Sequence, residues 1–170
     1  AAALAASRGC RVCWRAVGRS GFTSERARHE LLPLLPEDEQ DAMIVSLGVN
    51  DVTRARRSEA WRRDLGFVLD ALHAHSPRAV IGVCGVPPLN HFPRVPQPLR
   101  FVLGLRSRTF DAITHEVTGG RPWSVYVPMP SRPVPTDFAS DGYHPAPPTY
   151  RALGATAART IAAALSPRER

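Results

Sequence analysis

Short apolar runs alternate along this chain with stretches of helical periodicity. CRVCWRAV, 10–17, predicts a first strand. SERARHELLPLL, 24–35, predicts a helix that opens at a Ser24 cap and runs to about Pro33. AMIVSLG, 42–48, is an unbroken apolar run of strand length, the pattern of a strand covered on both faces. In SEAWRRDLGFVLDALHAHSP, 58–77, Trp61, Leu65, Val68, Leu69 and Leu72 recur at helical spacing and predict one buried stripe ending at Pro77. AVIGVCGV, 79–86, predicts another covered strand. PPLNHFPRVPQP, 87–98, is too polar and too broken by proline to be an element. LRFVLGLRSRTFDAITHEV, 99–117, predicts a helix stopped at Gly119 and Gly120. SVYVP, 124–128, predicts a short strand, and PAPPTYRALGATAARTIAAAL, 145–165, a closing Ala-rich helix. The opening AAALAAS reads as the last turns of an Ala-rich helix. The end of a signal peptide is the weaker reading, because no charged segment precedes it.

This regular alternation predicts an α/β domain over residues 1–170, a parallel sheet with helices on both faces. Ligands in such sheets bind beyond the carboxyl ends of the strands. Four segments occupy that position: VGRSGFTS, GVND, VPPLNHF and the stretch through SDGYHP.

Composition narrows the function. A chain of 170 residues supports one buried core and no second domain. The 22 basic residues outnumber 15 acidic ones, and all are arginine. With the many Ala and Pro, this reads as the bias of a GC-rich genome. RARR at 54–57 and RR at 62–63 fall on or before an amphipathic helix, where such runs form solvated faces. No nucleic-acid-binding pattern accompanies them, so a nucleic-acid partner is not expected. No apolar run reaches the roughly 20 residues that span a bilayer, so stable membrane insertion is not expected. Cys10 and Cys13 form a C-x-x-C on the predicted first strand, where they point to opposite faces. No second pair completes a zinc site, and structural cysteines are the expectation. The cysteines lean slightly toward a cytoplasmic setting, and localisation otherwise stays open.

The candidate chemistry lies in three places. In SDGYHP, Asp141 stands three residues before His144. An imidazole titrates near about 6.5 in water, which suits base work, and a carboxylate can orient it. In SLGVND, Gly48 precedes Asn50, whose amide can donate two hydrogen bonds to an oxyanion. Asp51 reads as a residue that fixes the loop. In GRSGFTS, Gly18 and Gly21 permit tight turns, and Gly21 N–H stands at a helix start. Each motif alone reads equally as a plain turn or cap. The other histidines, His29, His73, His75, His91 and His115, have no evident partners.

The three motifs in this order resemble the SGNH (GDSL-type) serine hydrolase family, over nearly the whole chain. The resemblance implies a flavodoxin-like three-layer α/β/α fold and a carboxylic ester hydrolase of esterase or lipase type. It implies Asp141 and His144 as two members of a triad, with Gly21 N–H and the Asn50 side chain as oxyanion donors and Gly48 and Asp51 in support. The substrate would be a small or medium acyl ester. No metal and no cofactor are implied. His91 and Phe92, in the Pro-rich loop, are candidates for a wall of the acyl site; a rigid surface connection is the equal alternative.

In that family the serine lies in a Gly-Asp-Ser block after the first strand, and this sequence contains no Gly-Asp-Ser. The expectation is that the block preceded AAALAASRGC and that this chain alone is inactive. The absent strand would be central in the order 2-1-3-4-5, so the strands at 10–17 and 42–48 would lose their shared neighbour. A substitute serine is not favoured: Ser46 is expected to be buried in its strand, Ser20 and Ser24 flank the glycine turn, and Ser140 sits in a loop. The alternatives are a non-catalytic relative that binds an acyl or carbohydrate ligand, and a flavodoxin-like regulatory domain. A nucleic-acid binder would declare itself by salt-sensitive binding.

Overall fold

A computed structural model describes residues 1–165. Three parallel strands form one sheet in the order β1-β2-β3: β1 Ala42–Val45, β2 Val80–Cys84 and β3 Ser124–Val127. Ala42 pairs with Val80, and Ile81 with Ser124, so each strand lies beside its sequence neighbour. Parallel neighbours require helical crossovers. Helix α4, Ser58–His75, makes the first and α5, Leu99–Gly119, the second. Both cover one face. Helix α6, Pro147–Ala164, covers the other, with α1, Ala2–Arg8, packed on its outer side. The result is the expected three-layer α/β/α arrangement.

The core lies between the sheet and the α4–α5 pair. The predicted stripe of α4 is buried throughout, from Trp61 to Leu72. Trp61 stacks on Phe110 of α5 with ring centroids 5.7 Å apart, and its indole N–H donates to the Phe110 carbonyl at 3.1 Å. On the opposite face Ile161 of α6 fills the space above Gly82; a methyl group there would lie 3.0 Å from the Ile161 side chain.

Three expectations are corrected. Residues 10–17 form no strand; they are largely exposed, with Trp14 open to solvent and Cys10 and Cys13 exposed free thiols. A strand exists only when its backbone groups are paired, and no described strand lies beside this one. β1 likewise is not covered on both faces. It pairs only with β2, and Ile44 is 57% exposed. Finally, the 24–35 segment is one α-turn (α2, Ser24–Arg26), a π-turn and a 3-10 turn, because Pro33 denies the ladder an N–H. Its cap is Thr23, whose hydroxyl accepts from Arg26 N–H at 3.4 Å; Ser24 is bonded elsewhere.

Candidate active site

The loops after the strands build the site as two groups. The first is built on β1. After Val45 the chain turns at Gly48, with φ +112°, a conformation side chains rarely adopt. A methyl group there would also meet Val86 Cγ2 at 2.6 Å and the Trp61 ring at 3.2 Å. Glycine thus lets the loop press onto β2's exit and begin the short helix α3, Val49–Thr53. Asn50 projects from α3, and its side-chain amide donates to the Phe22 carbonyl at 3.0 Å. That bond ties Asn50 to the turn containing Gly21, itself at φ +76°. One amide hydrogen is held in this way. The other has no acceptor among the described residues.

Asp51 holds the same turn from below. It is fully buried and accepts from Ser24 N–H at 3.0 and 3.1 Å, and from Ser24 Oγ at 2.6 Å. Arg56 Nε stands 3.3 Å away. Burial pushes the Asp51 carboxyl above its usual value, against the bonds from Ser24 and the charge of Arg56. Arg56 also reaches Asp64 at 2.5 Å and Glu25, and Arg63 and Arg28 flank Asp64 at 3.1 and 3.7 Å. Sequence reasoning missed the part of Asp64. Its only signal is an acidic side chain on the apolar stripe of α4.

The second group is the loop before α6. The Asp141 carboxylate accepts His144 Nδ1–H at 2.6 Å, Tyr143 N–H at 2.9 Å and His144 N–H at 3.0 Å. The His144 ring and these backbone bonds hold the Asp141 carboxyl down to about 2. Asp141 is therefore ionised at neutral pH and selects the tautomer whose proton is on Nδ1. The Nε2 lone pair is left to accept a proton. His144 is 70% exposed, so that nitrogen is accessible. Around the pair, Phe138 bridges Pro145 and Ala139 N–H donates to the His144 carbonyl at 2.8 Å. Gly142, at φ +66°, presses on Arg94.

Phe92 lies beneath this loop. It is buried, and its ring meets Phe138 edge-on at 5.0 Å and Tyr143 at 6.2 Å. His91 closes the 3-10 turn Leu89–His91 beside it and is half-buried. A residue that sequence reasoning missed, Asp111 of α5, fixes the exit of β2 by accepting Val86 N–H and Tyr126 O–H, both at 2.8 Å.

No described hydrogen bond joins the two groups, and no serine hydroxyl among the described residues bonds to His144. Ser24 is locked on Asp51. Ser46 is exposed, not buried as expected, because β1 ends at Val45. It bonds to the Cys84 thiol, which burial pushes up to about 11, well away from thiolate chemistry at neutral pH. Among the described residues, no group of three His, Cys, Asp or Glu is placed to hold a metal ion.

The Asp141–His144 pair gives a direct titration test. Followed by carboxyl-carbon NMR, Asp141 should titrate with a midpoint of about 2. In His144→Ala the largest cause of that depression is removed, and the midpoint should rise toward the usual carboxylate value of about 3.9. The sign for stability follows. A carboxyl depressed in the folded state adds stability above its unfolded pKa, and that contribution disappears as pH falls from about 4 to about 2. An unchanged midpoint in the variant would mean that the backbone donors alone depress it.

Known structures share this frame. The chain is similar to a candidate platelet activating factor from Streptococcus pneumonia (15% identity, TM-score 0.69), covering 80% of this chain and 66% of that one. It is similar to a carbohydrate esterase family 3 protein from Talaromyces cellulolyticus (18%, 0.56), covering 86% of this chain and 66% of that one. It is also similar to LAE5, an alpha/beta hydrolase enzyme from the metagenome of Lake Arreo, Spain (16%, 0.62), covering 98% and 80% respectively. This chain thus spans just under two thirds of the first two. At these identities the likeness is one of fold. No curated protein matches the chain. The family model of GDSL-like lipases and acylhydrolases, however, matches residues 1–152. With that match over most of its length, this chain belongs to the GDSL-like lipase/acylhydrolase family, whose members are hydrolases.

Proposed function

We propose that these residues form the acid–base and oxyanion parts of a serine ester hydrolase, with the nucleophilic serine supplied by residues outside these 170. The observation that carries the reading is the 2.6 Å bond between Asp141 and His144 Nδ1, on an exposed ring whose Nε2 has no hydrogen-bond partner among the described residues. An imidazole held in that state can take a proton from a hydroxyl. The open edge of β1 and the exposed Ile44 support a strand docking there, and the carboxyl end of such a strand would lie beside Asn50 and Gly21.

The reaction then runs as acyl transfer. The serine oxygen attacks the ester carbonyl while its proton passes to His144 Nε2. Negative charge on the carbonyl oxygen is met by Gly21 N–H and the spare Asn50 amide hydrogen. The carbon–alkoxide bond breaks, and the His144 proton goes to the leaving alcohol. Water repeats the sequence: His144 takes its proton, hydroxide adds to the acyl carbon, and the proton returns to the serine as the acid leaves. Asp141 stays ionised throughout and stabilises the imidazolium. Small or medium acyl esters are the proposed substrates, with His91 and Phe92 toward the acyl side. The buried place of Phe92 favours a supporting role for its ring.

A second reading is a non-catalytic domain that binds an acyl or carbohydrate ligand in the same place. It is favoured by the lack of any serine bonded to His144 among the described residues. Ester turnover by the chain alone and by the longer protein, with His144 intact or replaced, separates the two.

A further inference from the structure

The geometry points to the N-terminal half of α5 and the loop before it as a docking surface for an anionic lipid membrane, at the end of the sheet where the candidate site lies. Helix α5 carries two apolar stripes. The inner one, including Leu103, Phe110 and Ile113, is buried in the core. The outer one is open to solvent: Phe101 is 61% exposed, and Val102 and Leu105 are about half exposed, with Leu99 at the tip. At 3.6 residues per turn, Phe101, Val102 and Leu105 fall within an arc of about 100° on one face. The core has no use for them. Single exposed apolar side chains are ordinary, but a contiguous outward stripe marks a contact surface.

The surrounding charge selects the partner. Residues 71–110 contain no Asp or Glu, and five arginines: Arg78, Arg94, Arg100, Arg106 and Arg108. Arg106 is turned inward, donating to the carbonyls of Arg56 at 2.5 Å and Val52 at 3.4 Å. Arg94, Arg100 and Arg108 have no carboxylate partner among the described residues. An exposed apolar face bordered by arginines that have no carboxylate partner among the described residues complements the headgroups and acyl boundary of anionic lipid. A second copy of the chain would bring the same arginines against one another. Duplex nucleic acid has no use for the apolar stripe.

The surface is also placed to matter. α5 follows β2, so its first turns lie at the carboxyl end of the sheet. Arg94 packs on Gly142 in the loop of His144, and Arg106 joins α5 to α3, the helix of Asn50. α5 packs on β3, at the end of the described sheet away from the open edge of β1, and on α3. No described helix is long and apolar enough to cross a membrane, so the contact is peripheral.

Co-sedimentation of the intact protein with phosphatidylglycerol and with phosphatidylcholine vesicles tests this without any turnover, and so stands apart from the ester-hydrolase reading. Partitioning onto phosphatidylglycerol should be at least about tenfold stronger than onto phosphatidylcholine, and should weaken as salt is raised. Phe101→Ser with Leu105→Ser should reduce it about tenfold with the thermal melt unchanged. Arg108→Glu, which leaves the apolar stripe intact, should reduce it severalfold. Equal binding to both lipids, or full binding by both variants, overturns the proposal. So does a protein that ignores vesicles and instead forms a dimer that the double variant dissociates, or one that prefers an oligonucleotide duplex to either lipid.

Discussion

Replacing His144 by alanine is expected to lower kcat for ester hydrolysis about 10³- to 10⁴-fold in the serine-containing protein. KM should change little, because the imidazole moves a proton and holds no part of the ground-state ester. The melt should also change little. The ring is 70% exposed, and its principal described bond runs to a carboxylate that is itself half exposed. This combination of a large kinetic and a small thermal effect is what distinguishes a base from a structural histidine. His144→Gln is the control: it keeps a hydrogen-bonding side chain of similar reach, but cannot take the proton. Its kcat should fall as far as that of the alanine variant. If kcat fell in proportion to thermal stability, His144 would be a support for the loop and no base.

The second large effect is on stability. Asp51→Ala is expected to cost about 3–5 kcal/mol, the range for breaking a buried ion pair from one side. Two Ser24 donors would lose their acceptor, and Arg56 would keep Asp64 and Glu25 but lose a buried partner. Each buried donor left without a partner costs about 1–3 kcal/mol. Asp51→Asn keeps the volume and one acceptor, and should cost roughly half as much. Denaturant unfolding measures both. The same variants should lower kcat beyond their effect on the melt, since Asp51 fixes the turn from which Gly21 N–H projects. A loss below about 1 kcal/mol for Asp51→Ala would mean that water replaces the carboxylate, and that the network does not hold the turn.

What the sequence revealed, and what it hid, follows from how far apart the partners lie. The α4 stripe was legible because a period of 3.6 is a local signal, and Trp61, Leu65, Val68, Leu69 and Leu72 are all buried. The Asp141–His144 pair was legible because its members are only three positions apart and Gly142, at φ +66°, turns the chain back between them. The 10–17 strand was misread because apolar β-branched content states only a preference. A strand also needs neighbours, and none is described beside this segment. Ser46 was misplaced by a single residue at the end of β1, and that residue decided whether it is buried or exposed. Ser24 was read as a cap because local pattern offers only local partners; its true partner, Asp51, lies 27 residues away. The Phe92–Phe138–Tyr143 cluster is tertiary in the same way. Nothing in a Pro-rich loop announces that one of its aromatic rings will lie beneath a histidine more than fifty residues later.

The central claim is that this chain holds a competent base and oxyanion donors that wait on a serine from elsewhere. The most direct measurement is p-nitrophenyl butyrate hydrolysis by these 170 residues alone and by a longer protein that adds an N-terminal Gly-Asp-Ser segment, each with His144 or alanine at that position. The account predicts turnover only in the longer protein, and its loss in the alanine variant. Turnover by the 170 residues alone would place the nucleophile within them. Silence in both forms would contradict the hydrolase reading and leave a domain that binds its ligand without cleaving it.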